Sequence, residues 1–111
     1  MSSPMPEFDA PAPTSHGHLA PDRSTAENLA RMLRALADPT RIQLLALMNG
    51  AGPEGTTVKE LTDALTFRQP TISHHLRILL DEGIVCKSQT GRQTWYSIAA
   101  EHAGSISDLL R

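Results

Sequence analysis

Two adjacent histidines, His74 and His75, stand in the stretch QPTISHHLRILLDEGIV, residues 69–85. Imidazole side chains can bind a metal ion, transfer a proton or contact nucleic acid. At 100° per residue, Ile72 and the leucines that follow it form one apolar helical stripe; His74 points away from this stripe and His75 borders it. We therefore expect His74 to face outward and His75 to pack or form hydrogen bonds within the domain.

The outward face of this helix is short, polar and rich in hydrogen-bonding groups. Gln and Ser can bond to base edges in the major groove of DNA, and His and Arg suit guanine or phosphate. Basic residues farther along, beside a Gly-containing turn, could lie against the neighbouring backbone. A merely solvated polar face is the alternative. The candidate DNA-binding residues are Arg68, Gln69, Thr71, Ser73, His74, Arg77, Lys87 and Arg92.

Charge is distributed unevenly along the chain, and the positive excess lies in the part that contains the two histidines. The net charge is −2, but basic side chains outnumber acidic ones within residues 67–100, and the rest of the chain is acidic. Absence of a strong overall positive charge therefore does not exclude a nucleic-acid partner. What matters is that the positive excess surrounds the two histidines.

Length and composition predict one small, mainly helical domain. The 111 residues are 40% hydrophobic and only 4% aromatic, so the core must be built from aliphatic side chains. The single cysteine, Cys86, excludes an internal disulfide and a Cys-rich zinc site. Neither a membrane-spanning apolar run nor a signal-peptide pattern is present, and we expect a cytoplasmic protein without membrane contact.

Capping signals divide the chain into a tail and a domain. Residues 1–23 are rich in proline and lack apolar periodicity, which predicts a disordered tail. The domain, residues 24–111, is predicted to open with a capping box at Ser24–Glu27. The helix that follows should present one apolar stripe, formed by Leu29, Met32, Leu33 and Leu36. An Asp-Pro pair at 38–39 begins the second helix, which should end at the Asn-Gly pair 49–50, and a further capping box at Thr57–Glu60 begins a short third helix.

The third helix and the helix carrying the histidines, which should end at Gly83, are joined by a brief connection and form a predicted helix-turn-helix. Residues 84–98 then change to strand periodicity around a Thr-Gly turn, which predicts a β-hairpin. Its register should put Val85 and Tyr96 toward the core and Cys86 with Trp95 on the opposite face. The fold class is therefore mainly α with a β-hairpin wing.

The closing helix, from about Glu101, presents an apolar face at Ala103, Ile106, Leu109 and Leu110. An apolar face at the end of so small a domain has no obvious intramolecular partner. We therefore expect this helix to pair with its copy in a second chain, giving a homodimer.

Several motifs in order resemble the ArsR/SmtB family of bacterial winged-helix repressors over about residues 27–111. They are ADPTR at 37–41, QPTISHHL at 69–76, the Gly-Arg pair at 91–92 and the Trp-Tyr pair at 95–96. The resemblance implies a homodimer that binds an inverted-repeat DNA operator, with the histidine-bearing helix in the major groove and the first and last helices at the dimer interface. It also implies repression relieved by an inducer, commonly a metal or metalloid ion and sometimes a thiol-oxidising species.

Departures from the family pattern concern the inducer and the start of the recognition helix. Soft-metal sensors of the family carry cysteines where this chain has TTVK at 56–59, and a soft ion has no thiolate ligand there. In zinc-type sensors the last helix supplies Asp and His, but here Ala100 stands at the Asp position and only His102 matches. Arg68 stands where a capping Ser is common, and we expect it to meet a DNA phosphate.

Three readings of the inducer stay open. His16 and His18 could chelate nickel or zinc if His102 or Glu101 of a partner chain completed the shell, or they could simply be unliganded. Cys86 could act as a redox switch, although a lone strand cysteine is more often a small hydrophobe. No metal or redox site is firmly implied.

Two other function classes compete with a DNA-binding repressor. The outward helix face could bind another protein, so that the winged helix would serve only association. An enzyme that uses His74 or His75 as a base is disfavoured, because no carboxylate or nucleophile stands at helical spacing beside them on the outward face.

Overall fold

A computed structural model describes residues 20–111 of the chain. Its elements, in order, are α1 (Arg23–Leu36), α2 (Pro39–Ala51), a 3₁₀ turn (Gly52–Glu54), α3 (Val58–Ala64), α4 (Gln69–Asp81), β1 (Val85–Thr90), β2 (Gln93–Ile98) and α5 (Ala100–Leu109). The predicted class, mainly α with a β-hairpin, is confirmed. Most of the predicted tail lies outside the described residues.

The first helix begins two residues earlier than the predicted cap at Ser24 implies, and its N-cap is a different residue. Asp22 is the N-cap, and its Oδ1 accepts the backbone N–H of Thr25 at 2.8 Å. Glu27 forms an ion pair with Arg23 at 3.1 Å, so its carboxylate is directed toward the side chain one turn earlier. The predicted capping box at Ser24–Glu27 is therefore wrong. With Asp22 as the N-cap, Ser24 lies inside the first turn of the helix, where its hydroxyl is no longer in the N-cap position that the box requires.

The other two helix starts agree with the sequence. Asp38 caps α2 by accepting the backbone N–H of Arg41 at 3.0 Å, with Pro39 in the first turn. At α3 the capping box is complete: the Thr57 hydroxyl accepts the Glu60 amide at 3.2 Å, and the Glu60 carboxylate accepts the Thr57 amide at 3.1 Å. Helix α2, however, runs past the predicted Asn-Gly end to Ala51, where Gly52 at φ +78° terminates it.

The core lies where α2, α3, α4 and the base of the hairpin meet. Its fully buried side chains are aliphatic: Leu44, Leu45, Met48, Leu61, Ile72, Leu76, Leu79 and Ile84. Each such side chain contributes about 1.5–3 kcal/mol on removal from water, before the entropy cost of ordering it. Helices α2 and α4 each supply three of these residues, so the hydrophobic stabilisation is concentrated where these two helices meet.

Helix α4 ends in a way that aims the chain into the hairpin. Gly83 adopts φ +71°, the Gly83 N–H donates to the Leu80 carbonyl and the Ile84 N–H donates to the Leu79 carbonyl, each at 3.0 Å. This pair of bonds is a Schellman motif, which satisfies the last carbonyls of the helix. The predicted end at Gly83 is confirmed, and the motif directs Ile84 into the core.

The hairpin has the predicted register. Val85 pairs with Ile98 and Lys87 with Tyr96 on the face toward the core, while Cys86 and Trp95 lie on the opposite face. Thr56, just before α3, adds a one-residue bridge: Thr56 N–H donates to the Tyr96 carbonyl at 2.9 Å, and Tyr96 N–H donates to the Thr56 carbonyl at 2.7 Å. The wing is thereby tied to the start of the helix-turn-helix.

An apolar surface remains on α1, α2 and α5, away from α4. Its most exposed members are Leu109 at 69% and Leu33 at 52%, with Leu29 and Ile42 close behind. A groove of about 410 Å³ runs between these helices. The stripe predicted on α1 thus divides: Met32 and Leu36 pack against the core, whereas Leu29 and Leu33 are exposed. In residues 20–111, no helix has both the length and the apolar character needed to cross a membrane.

The junction between the 3₁₀ turn and the hairpin yields a prediction about two glycines with similar backbone conformations. Gly52 (φ +78°, ψ −168°) and Gly55 (φ +85°, ψ −163°) both occupy a region that L side chains avoid. A Cβ on Gly52 would meet open space, whereas one on Gly55 would overlap the Tyr96 carbonyl, lying 2.9 Å from its carbon.

We expect Gly52→Ala to lower the free energy of unfolding by about 1–3 kcal/mol, the cost of the backbone conformation alone. Gly55→Ala should cost about 1–3 kcal/mol more, because the wing must move to relieve the overlap. Urea unfolding followed by circular dichroism measures both. Equal losses in the two variants would show that the Gly55–Tyr96 approach does not hold the wing.

Candidate nucleic-acid interface

Helix α4 divides its side chains between the core and solvent. Ile72, Leu76 and Leu79 are buried, and this fixes which side of the helix faces outward. The outward residues are all exposed except Thr71, which is half-buried: Gln69, Pro70, Thr71, Ser73, His74 and Arg77. The structure thus brings the candidates of this helix together on one surface. Their chemistry, amide, hydroxyl, imidazole and guanidinium, is suited to the edges of bases and to phosphate.

The N-terminus of α4 belongs to the same surface. Arg68 is the N-cap residue, with extended φ and ψ, and within residues 20–111 no side chain forms a capping hydrogen bond to this helix start. The unsatisfied amides and the helix dipole give this end partial positive charge, to which the exposed Arg68 adds a full charge. This end of the helix attracts anions, and the arrangement costs stability in the isolated chain.

The two basic residues of the wing occupy different places. Arg92 lies in the turn between β1 and β2, exposed at the tip. Lys87 lies opposite Tyr96 and faces the groove between the hairpin and α4, a space of about 370 Å³ lined also by Ser73, Arg77 and Asp81. Lys87 therefore adds its charge beside the middle of α4, and Arg92 extends the basic surface outward.

His75 occupies a polar junction behind the exposed face. Its side chain is only 15% exposed, and its Nδ1 lies 3.2 Å from Nη1 of Arg41. Because a guanidinium can only donate, the imidazole Nδ1 accepts, which places the proton of the neutral ring on Nε2. Nδ1 also lies 3.8 Å from the Asp38 carboxylate. The prediction that His75 forms hydrogen bonds within the domain is confirmed.

Arg41 connects three helices at this junction. Its Nε donates to the Ala35 carbonyl near the end of α1 at 2.6 Å, its backbone N–H donates to the α2 cap Asp38, and its guanidinium reaches His75 on α4. Sequence reasoning identified Asp38 as a cap but gave Arg41 no role beyond the ADPTR motif. The signal was the motif's spacing: a cation three residues after an N-cap carboxylate lies one turn into the helix, beside the cap.

The junction holds His75 in its neutral form. Burial is the main cause of a lowered pKa of His75; the Asp38 carboxylate raises the pKa, and the nearby Arg41 guanidinium and His74 side chain lower it. The pKa of Asp38 is itself lowered, chiefly because its carboxylate accepts the Arg41 backbone N–H. A neutral, accepting imidazole and an ionised carboxylate are therefore the states that fit the observed contacts.

The sensing candidates are dispersed in the part of the chain that the structure describes. His102 is half-buried on α5, and Glu101 beside it is exposed. Cys86 is exposed on β1, with its Sγ 3.5 Å from the Ser97 hydroxyl. His16 and His18 lie outside the described residues. Among residues 20–111, no group of three or more His, Cys, Asp or Glu side chains is placed to hold a metal ion.

Comparison with known proteins gives relatives over most of the chain. A family model described as "Bacterial regulatory protein, arsR family" matches residues 38–87. The HTH-type transcriptional repressor SmtB of Mycobacterium tuberculosis is 35% identical over 101 residues, 91% of this chain and 66% of that protein. The HTH-type transcriptional regulator NmtR of the same organism is 35% identical over 88 residues, 78% of this chain and 70% of that protein. The chain thus spans about two thirds of the length of these regulators.

A solved structure matches the same region. It is the solution structure of a homodimeric winged helix-turn-helix DNA-binding domain from Mycobacterium bovis, described as a possible ArsR-family transcriptional regulator. It superimposes with a TM-score of 0.69 and 28% identity, covering 81% of this chain and 83% of that one. Its architecture corresponds to α3, α4 and the hairpin described above. By sequence and by fold, this chain belongs to the ArsR family of bacterial regulatory proteins and forms a winged helix-turn-helix.

Proposed function

We propose that the protein is a transcriptional repressor that binds an inverted-repeat DNA operator as a homodimer and is released by an inducer. The observation that carries the proposal is the outward face of α4, where exposed hydrogen-bonding side chains lie on a helix anchored by Ile72, Leu76 and Leu79. In a helix-turn-helix, the second helix of the motif enters the major groove. Here that helix is α4, and its first turns present Gln69, Ser73 and His74.

Contacts to DNA divide by chemistry. Gln69, Thr71, Ser73 and His74 are proposed to read base edges, because their short polar groups lie at the helix face that faces the groove. Arg68, at the helix N-terminus, is proposed to bind phosphate, as are Lys87 beside α4 and Arg92 at the wing tip. Arg77, one turn beyond Ser73, can reach either guanine or phosphate.

Two chains are needed to read an inverted repeat. The apolar surface on α1 and α5 is where we propose that the second chain packs. Leu33 and Leu109 are large side chains with more than half of their surface in water. Covering them with the same surface of a second copy would remove that exposure and place two α4 helices on one side of the dimer. As a DNA-bound regulator the protein would act in the cytoplasm.

Release by an inducer completes the proposal. Nickel or zinc would use His16 and His18 together with His102 or Glu101 of the partner subunit, since imidazole suits both ions. A thiol-oxidising inducer would act at Cys86, which is exposed. Metal binding and thiol oxidation would both occur outside α4. To release DNA, either would have to change the position of α4 in one or both subunits.

Fluorescence anisotropy with DNA from the region upstream of the protein's own gene tests the function. We expect tight binding of a dimer whose affinity falls about a thousandfold or more between roughly 50 and 200 mM salt, because several phosphates are neutralised at once. Addition of nickel, zinc or peroxide separates the inducer classes. Failure to bind any such DNA at low salt would favour the alternative, a winged helix that associates only with proteins.

Arg68 provides a prediction in which stability and affinity move in opposite directions. Arg68→Ser supplies a side-chain cap and removes a cation from the positive end of α4, so the free energy of unfolding should rise by about 1 kcal/mol. Loss of a phosphate contact should weaken binding to operator and random DNA alike and reduce the log–log salt slope by about 1 for each chain. Thermal unfolding and anisotropy measure the two effects.

Arg23→Ser is the matched control, because Arg23 is an exposed arginine in the first turn of α1. It should leave the salt slope of DNA binding unchanged. Unchanged affinity of Arg68→Ser for both DNA classes would contradict the phosphate assignment.

The dimer surface gives a further prediction. Leu109→Glu places a charge on the most exposed of the large apolar side chains, and dimer formation should then be lost at micromolar concentrations because the carboxylate would be buried without a partner. Sedimentation velocity measures the change. Gln89→Glu adds the same charge to exposed β1 and should leave the dimer intact. A dimeric Leu109→Glu protein would place the interface elsewhere.

A further inference from the structure

The polar junction at the rear of α4 is the feature that the proposed function leaves unused. His75 is mostly buried, is directed toward α2, and lies between the buried stripe and the outward His74, whose ring it meets edge to face at 5.4 Å. Between α2 and α4 the core contacts are aliphatic and insensitive to pH. The Arg41–His75 hydrogen bond adds a polar contact between the same two helices, and this one contains a titratable group.

We propose that His75 is a proton-sensitive positioning residue, which holds α4 in its DNA-binding position while neutral and releases it on protonation, so that acidification weakens operator binding. The inference rests on the proposed function, because it assigns a regulation to the DNA-binding helix. It concerns a residue behind the interface, which need not touch DNA. The contact that would respond to the proton is the hydrogen bond between His75 and Arg41, with the Asp38 carboxylate beside it.

The chemistry of the contact is directional. Neutral His75 uses the Nδ1 lone pair to accept from Nη1 of Arg41 at 3.2 Å. Protonation occupies that lone pair with a hydrogen, which removes the bond and sets two cations against each other at the same distance. No bond other than N–H forms, and the proton comes from solvent. The hydrogen bond that joins Arg41 to His75 is therefore lost when His75 is charged.

The surrounding charges offset this only in part. Asp38 lies 3.8 Å from Nδ1 and would attract the imidazolium, but its carboxylate already accepts the Arg41 backbone N–H at 3.0 Å. Arg41 and the neighbouring His74 oppose the second charge. From α1, the group at the junction is the Ala35 carbonyl, which holds Arg41 in place at 2.6 Å. Because the Ala35 carbonyl holds the Arg41 Nε and Asp38 holds its backbone N–H, we infer that the repulsion is relieved by movement of His75 and of α4, which carries it.

The sign of the effect on stability follows from the same contacts. Burial and the cation of Arg41 lower the pKa of His75 in the folded chain, so the unfolded chain binds the proton more readily. The contribution of His75 to stability is therefore complete above its ordinary pKa, about 6.5, and is lost as the pH falls from there toward the lower folded value. If DNA binds best to the geometry with neutral His75, operator affinity falls over the same range.

The experiment compares the full-length dimer with two single variants between pH 7.5 and 5.5 at constant ionic strength. His75→Asn keeps an acceptor, Oδ1, near the position of Nδ1 but cannot be protonated. His74→Asn makes the same change one residue earlier, on the exposed face. Anisotropy with operator DNA is the first measurement, and backbone amide chemical shifts of α4 in the free dimer are the second.

We expect wild type to lose about three- to tenfold in operator affinity across this range, since each linked proton can change affinity by up to about tenfold per pH unit. His74→Asn lies on the outward face and leaves the Arg41–His75 hydrogen bond in place, so its affinity should fall by the same factor relative to its own value at pH 7.5. His75→Asn should lose the acid-induced decline. An equal decline in His75→Asn, or none in wild type and His74→Asn, would overturn the proposal.

The chemical shifts separate this inference from the proposed function. If the dimer bound no DNA at any pH, the repressor proposal would fail, and the amides of α4 would still report on the junction. They should move with pH in wild type and stay in place in His75→Asn. Should His75→Asn fail to fold, ¹⁵N shifts of the wild-type imidazole decide instead: a ring protonated at Nδ1 at pH 7.5 would contradict the Arg41 hydrogen bond and the inference with it.

Discussion

Burial of one stripe of α4 against α2 and α3 is the constraint on which the rest of the molecule depends. Ile72, Leu76 and Leu79 enter a core shared with Leu44, Leu45 and Leu61, and removing these side chains from water is the largest favourable contribution available to so small a domain. Since a helix has one rotation that buries such a stripe, the polar residues between the leucines must face outward. The surface proposed to bind DNA is the side of α4 opposite the core.

Around that hydrophobic framework, backbone and polar contacts set the angles of the parts that would meet DNA. A Schellman motif at Gly83 turns the chain into the hairpin, and the Thr56–Tyr96 bridge ties the hairpin to the start of α3. On the other side of α4, Arg41 joins this helix to α2 and to the end of α1 through its hydrogen bonds to His75 and Ala35. These contacts contribute less to stability than the core does, because each exchanges a bond with water for one within the protein. Their effect is directional, which apolar packing is not.

Sequence patterns recovered the helices and the hairpin because local rules decide them. The capping signals at Asp38 and Thr57 were interpreted correctly, as were the strand alternation and the end of α4 at Gly83. The error at Ser24 shows the limit of such rules: Asp22 and Ser24, two residues apart, can each cap a helix, and here Asp22 does so by accepting the Thr25 backbone N–H. Periodicity likewise gave the stripe on α1 but not which of its leucines would stay in water.

By itself, the sequence determined the division of α4 into a buried and an outward face, the basic character of that half of the chain and the family resemblance that names the fold. Each of these follows from spacing along one element or from composition. Only the tertiary structure decided that Lys87 faces the groove beside α4 while Arg92 stands at the tip, and that Arg41 joins Ala35, Asp38 and His75. Those arrangements bring together atoms separated by up to 34 residues, and no local pattern specifies which of the many possible polar pairs will form.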